Sequence, residues 1–397
     1  MTHKVLFGLG AAALLAAGSV FAQGQAPAPT GPAGFPVGPL TVFPGIDLAH
    51  GYDDNLFLRP TARTSSSFTV VSPYIRAEAK PGPHKFDLGF RIDDGRYHSS
   101  PADSYTDYSL LGNGDMVFSG RAGLKMRAEH RHGHDPRGST DRGVSATPDE
   151  YDNTGIDGVF RYGAPGAQGR IEIDAGAFAR RYTNNRISTS AADRDTSQLG
   201  GTFFWRVMPR TELLAQVGHR NIDYKLGTST LDSTETRYLV GVKWEATAAT
   251  TGIAKFGHLK KDFDSAARQD FSGSSWDVGV RWSPLSYSVF DFTSSKQTSE
   301  STGVGDTVVG KNYGVTWSHA WSSRLRTQAL ATFRNDTFVG PGVTRKDDNT
   351  SFGVKVAYDF RRWLKLGAEY THFVRDSNDN TFNYKRNLLL FTVGATL

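Results

Sequence analysis

The sequence predicts an all-β fold, a transmembrane antiparallel outer-membrane β-barrel of about 18 strands, with 16 the alternative. Three observations predict it. From Leu40 onward apolar residues alternate with polar or small ones over stretches longer than ordinary globular strands. The connections between those stretches alternate between very short and long. Tryptophans recur beside the short connections at a hairpin-sized interval.

The chain opens with His3 and Lys4, the apolar stretch Val5 to Ala17, and the small-residue pattern around Val20-Phe21-Ala22, which together read as a secretory signal (residues 1–22) cleaved after Ala22. Residues 23–39 are rich in Pro, Gly and Ala and read as a flexible periplasmic lead-in; residues 40–397 form the barrel. Within it, Tyr238, Val240, Val242 and Trp244 alternate against Arg237, Gly241, Lys243 and Glu245. Trp276, Val278, Val280 and Trp282 oppose Asp277, Gly279 and Arg281, and Phe352, Val354, Val356 and Tyr358 oppose Lys355 and Asp359. One face of each stretch is oily.

Short turns fall at Met208-Pro209-Arg210, Pro284-Leu285, Ser322-Ser323 and Arg361-Arg362, with longer polar loops near 183–196, 262–273, 297–310 and 338–349. Barrels of bacterial outer membranes have this asymmetry, short on the periplasmic side and long outside. Trp205, Trp244, Trp282 and Trp321 each stand just before a short turn, at separations of 39, 38 and 39, and are expected to form an aromatic girdle at one interface, with Trp276 on the opposite side. The 358 residues from Leu40 divide into about 20 per strand and connection, and an even count keeps both termini periplasmic. The closing run Leu389, Phe391, Val393, Ala395, Leu397 alternates to the carboxylate, like the signal that barrel-assembly machinery reads. An exported β-sandwich or β-helix would also alternate, but would not need the turn asymmetry or the aromatic spacing.

Composition excludes much. No apolar run after the signal reaches the roughly 18 residues of a spanning helix. Cys 0 removes disulfide scaffolds, thiolate metal sites and thiol catalysis. The formal charge of +5 comes from 45 basic and 40 acidic residues interspersed along the chain, which is no nucleic-acid footprint.

With the oily residues facing lipid, the other face lines a lumen wide enough for water. Pore-lining candidates are Arg76, Lys125, Arg127, Glu129, Arg220, Lys243, Arg281, Lys355, Lys365 and Glu369, and for any single one the plainer reading is an ion pair that holds the wall. Lys243 with Arg281 and Lys355 with Lys365 are expected as basic pairs on neighbouring strands that could track an acidic sugar chain. His130, His132 and His134 have a spacing that could chelate a metal, yet their phase sends them to the outer rim beside lipopolysaccharide. Asp53-Asp54-Asn55 and Asp376-Ser377-Asn378-Asp379 read as turn chemistry at strand ends more than as cation sites. No G-x-S-x-G, H-E-x-x-H or Walker pattern is present, so neither catalysis nor a cofactor is expected.

Three segments carry a family likeness: Tyr52-Asp53-Asp54-Asn55-Leu56-Phe57; the Gly-x-x-Trp endings at Gly241–Trp244 and Gly279–Trp282; and the run from Glu369 through Arg375, Ser377, Asn378, Tyr384, Arg386 and Asn387 to Leu397. They resemble the β-barrel porins encoded in bacterial exopolysaccharide biosynthesis loci. The resemblance implies an outer-membrane channel for a polar carbohydrate, with exopolysaccharide secretion the leading reading and a separate periplasmic export partner delivering the polymer. A nutrient or general-diffusion porin, which usually carries a long constriction loop that no loop here looks long enough to supply, is the alternative; a structural or adhesive barrel acting through its loops is the third reading.

Overall fold

The computed structural model describes residues 32, 34–142, 145–245 and 249–397. The signal segment and most of the lead-in lie outside the described residues. Phe35–Val37, at the end of that stretch, form a short strand, β1, paired with Leu40–Val42.

Eighteen long strands follow. The first nine are β2 (Leu40–Asp53), β3 (Ser66–Ala79), β4 (Lys85–Tyr97), β5 (Tyr105–Val117), β6 (Ala122–Asp135), β7 (Asp149–Tyr162), β8 (Gly169–Tyr182), β9 (Arg194–Met208) and β10 (Thr211–Tyr224). The other nine are β11 (Ser233–Trp244), β12 (Thr250–Phe263), β13 (Phe271–Leu285), β14 (Ser288–Glu300), β15 (Thr307–Ala320), β16 (Leu325–Val339), β17 (Lys346–Arg361), β18 (Leu364–Ser377) and β19 (Tyr384–Thr396). Each pairs antiparallel with its sequence neighbour, and β19 pairs with β2 from Leu388↔Asp53 to Thr396↔Gly45, which closes the sheet into an 18-strand barrel. Closure satisfies every ladder, the condition for a sheet to cross hydrocarbon.

The alternation sets the faces. Val240 is 66% exposed on the outer wall while Leu239 beside it is 2% exposed inside. Tyr238, Phe256 and Leu199 join Val240 outside, whereas Lys255, Leu259 and Lys261 are buried within. Strands of 12 to 16 residues at ~3.3 Å per residue span ~40–50 Å, enough for a tilted crossing.

Short and long connections sort to opposite rims. Two residues, Pro209 and Arg210, join β9 to β10. Elsewhere at this rim a serine makes the turn: Ser119 Oγ accepts from the amides of Arg121 and Ala122, and Ser322 Oγ from those of Arg324 and Leu325. These side-chain acceptors replace ladder partners that the bend removes. At the long-loop rim the interior gains an apolar cluster, Leu56, Phe68, Tyr97, Tyr105 and Leu388. Tyr105 lies flat over Gly95 of the adjacent strand, where any Cβ would collide with its ring.

Candidate functional site

The chemistry of this chain lies inside the barrel and over its long-loop mouth. On the wall the charges come as cross-strand and same-strand pairs. Arg76 meets Asp87 at 2.5 Å and also Glu78; Arg127 meets Glu129; Arg281 meets Asp291 at 2.7 Å. Lys125 reaches Asp115 at 3.7 Å, Arg220 Glu235 at 3.7 Å, Lys243 Glu212 at 3.7 Å and Lys355 Glu369 at 3.6 Å. Lys365 stands opposite Asp359 in register. Arg76, Lys125, Arg127 and Arg281 remain water-exposed, so their pairs are each worth little, whereas Lys243–Glu212 and Arg220–Glu235 are mostly buried.

The expected basic pairs do not form. Lys243 is in β11 and Arg281 in β13, with β12 between them, so they are not on neighbouring strands. Lys355 is opposite Glu369 while Lys365 is four residues away along β18, at a different height. Spacing along one chain cannot supply register, which fixes who faces whom.

Trp205, Trp282 and Trp321 face outward beside the short turns, and Trp244 packs over Gly252 on the same face. Trp276, six residues toward the long-loop rim from Trp282, is also on the outer face and donates from Nε1 to Ser294 Oγ at 2.9 Å. The three histidines part company. His130 Nδ1 pairs with Thr154 Oγ1 at 2.8 Å and His132 Nδ1 with Asp152 at 2.8 Å, while His134 is buried against Tyr105 with its Nδ1 2.9 Å from Asp107. Each ring nitrogen has a different partner, and no metal-binding group of His, Asp and Glu occurs among the described residues.

A bridge spans the mouth. The β6–β7 connection, described at 136–142 and 145–148, meets loops rooted on the far wall, since seven strand steps separate β7 from β14 one way round and β6 from β17 the other. Its root is fastened by Arg142, which donates to Asp135 at 2.7 Å and Asp149 at 3.1 Å, and by Arg137, which donates to Asp103 at 2.7 Å and lies over the Phe57 ring. Gly138, at φ +81°, passes so close to the Phe57 carbonyl that a side chain is excluded. At the tip Asp141 accepts from Arg345 at 2.7 Å and from Thr302 at 3.3 Å. Arg345 also binds Asp347 and is clamped between the Phe338 and Phe382 rings. Burial alone would lower its pKa, but the hydrogen bonds to Asp347 and Asp141 outweigh that and raise it.

The seam is a second buried site. Arg386 of β19 forks onto Asp53 at the end of β2, with contacts of 2.5 and 3.0 Å, and Asp53 is fully buried. Asp54 accepts from the amide and the Nδ2 of Asn387, each at 2.6 Å. Asn55 donates to the carbonyls of Arg59 and Lys385. The first and last segments of the family likeness therefore close the barrel against each other. Asn378 and Asp379 do turn chemistry, Asn378 accepting from the Lys346 amide and Asp379 capping Asn380–Phe382; the bond from Thr381 holds the Asp379 carboxyl below its usual range.

Along nearly the whole chain, residues 28–397, the sequence matches the family described as "Putative beta-barrel porin 2". The chain belongs to that family. This porin is an outer-membrane barrel. No curated protein sequence matches it. Among solved structures it is similar to Pseudomonas aeruginosa OpdK with vanillate, at 12% identity and a TM-score of 0.52 over 90% of this chain and 99% of that one. A BenF-like porin from Pseudomonas fluorescens Pf-5 gives 12% and 0.51 over 90% and 99%; P. aeruginosa OccK2 (OpdF) in complex with glucuronate gives 12% and 0.50 over 90% and 98%. At such identity the likeness is one of fold.

Proposed function

We propose that this porin is a passive channel for small polar solutes, oriented with its short turns and both barrel termini in the periplasm. The observation that carries the reading is the bridge: loops from opposite walls meet through Asp141, Thr302 and Arg345, dividing the mouth. A polymer needs a continuous open track, whereas a divided mouth passes small molecules and screens large ones. The constriction that the sequence did not reveal thus favours the nutrient-porin reading over exopolysaccharide secretion. The mixed charge of the inner wall supports it, since exposed pairs keep the lumen wet at little cost. On this reading the outer face meets outer-membrane lipid and lipopolysaccharide, and the barrel-assembly machinery reads β19.

The test is reconstitution into planar bilayers and solute-loaded vesicles. Discrete conductance steps and entry of glucose with exclusion of long dextrans are expected. Arg345→Ala, which unlatches the tip, should raise conductance and move the size limit upward. Equal entry of dextrans and glucose into wild-type vesicles would return the reading to polymer export, and absence of any conductance would end the channel reading.

A further inference from the structure

We propose that Arg131, Arg180 and Arg194 form a docking row inside the barrel for the carboxylate of a small organic anion. The inference rests on the channel reading and names the solute class. Register puts the three on one level: Arg131 is opposite Asn153, Asn153 opposite Arg180, and Arg180 opposite Arg194. Four strands at ~4.8 Å spacing make a row ~15 Å wide. The alternation of β6 places Arg131 on the inner face, with Lys125, Arg127 and Glu129.

Unlike Arg76, Arg127 or Arg281, none of these three has a carboxylate within 4.0 Å among the described residues. Nearby acids are already engaged. Asp107 is held by His134, Asp135 by Arg142 and the Tyr182 hydroxyl, and Glu300 by Lys261 and the Tyr224 hydroxyl, with Arg194 in its field but not bonded to it. Like charges directly opposite on neighbouring strands destabilise a sheet, and a guanidinium cannot escape by losing its proton. Arg180 and Arg194 are such a pair. An anion between them removes the repulsion.

Two of the guanidiniums are held in place without a bonded carboxylate. Arg180 lies 4.1 Å over the buried Tyr151 ring and donates from Nε to Asn153 at 2.9 Å; Arg194 lies 6.0 Å over Tyr224 and donates from one Nη to the Ala192 carbonyl at 3.2 Å. Stacking fixes the plane and leaves N–H edges for a ligand, and the planar fork matches a carboxylate. One step along the strands toward the short-turn rim, the half-buried Phe178 ring covers Gly155 on the inner face. An anion with a small apolar or aromatic body finds a footing there.

The experiment compares benzoate with its neutral isostere benzamide in vesicles carrying the full-length porin, wild type or with Arg131→Gln, Arg180→Gln and Arg194→Gln combined. Folding of the variant is checked by its resistance to dodecyl sulfate on unheated gels. Wild type should admit benzoate in preference to benzamide, and the triple variant should lose about fivefold of that ratio, the scale of one or two screened charge-assisted hydrogen bonds. Arg→Lys at the same positions, which keeps charge but not the fork, should fall between. A folded triple variant with the wild-type ratio overturns the docking row while leaving the channel standing. Entry of neither solute through wild type is instead the failure of the channel reading, and the row falls with it.

Discussion

At the long-loop rim and on the middle of the inner wall, the same residue types meet in different surroundings. The rim pairs are buried: Arg386 with Asp53 at 10% and 0% side-chain exposure, and Arg345 with Asp141 at 6% and 8%. The wall pairs of β5 and β6 are wet, Lys125 with Asp115 at 48% and 44% and Arg127 with Glu129 at 51% and 25%, whereas Lys255 across the lumen wall is buried like the rim charges. A charge taken out of water must find its counter-charge, so losing one partner there is costly, while a solvated charge that loses its partner is simply rehydrated. The rim charges lock loops and seam; the wall charges line a passage. Charge in the sequence does not distinguish the two.

The comparison breaks most sharply at the seam. Asp53→Ala leaves Arg386 buried and unpaired and should cost ~3–5 kcal/mol, read as a shifted urea midpoint for refolding into vesicles. A shift no larger than that of a wall variant would mean that the seam is wet and the contrast false. The outer wall supplies a reference of known origin: Val240→Arg, facing hydrocarbon, should cost ~2–4 kcal/mol in the same assay, and a silent result would exchange the inner and outer faces. Lys125→Ala, on the wet wall, should cost at most ~1 kcal/mol. The finest test is salt. Raising NaCl from ~0.1 to ~1 M shortens the screening length from ~10 to ~3 Å, so the small penalty of Lys125→Ala should vanish while that of Asp53→Ala persists. A seam penalty that also disappears in salt would put both regions in one class.

Much of the architecture was legible because it is local. Val240 beside Gly241, the short turn at Met208-Pro209-Arg210 and the alternation of Leu389 to Leu397 are set by a period of two and by turn chemistry, both of which a single stretch displays. The turn expected at Pro284-Leu285 falls two residues later, at Ser286-Tyr287, because Pro284 and Leu285 still belong to β13. The site was legible only in part. Lys243 and Arg281 were expected on neighbouring strands, but β12 lies between them. Arg131 could have been reached by extending the alternation of Lys125, Arg127 and Glu129, whereas Arg194 stands where the sequence suggested a loop and the structure begins β9. The bridge gave no signal, because its length is ordinary and its partners, Thr302 and Arg345, lie 161 and 204 residues from Asp141.

The sequence alone determined that this chain is a membrane barrel: side-chain alternation, turn chemistry and interfacial aromatics are properties of neighbouring residues, and hydrocarbon admits a sheet only when it is closed. Tertiary structure decided which charges are buried and which wet, that Asp53 meets Arg386 across 333 residues, and that the mouth is bridged. Those outcomes depend on register and on the meeting of loops from opposite walls, which follow from closure of the whole ring and from no segment within it.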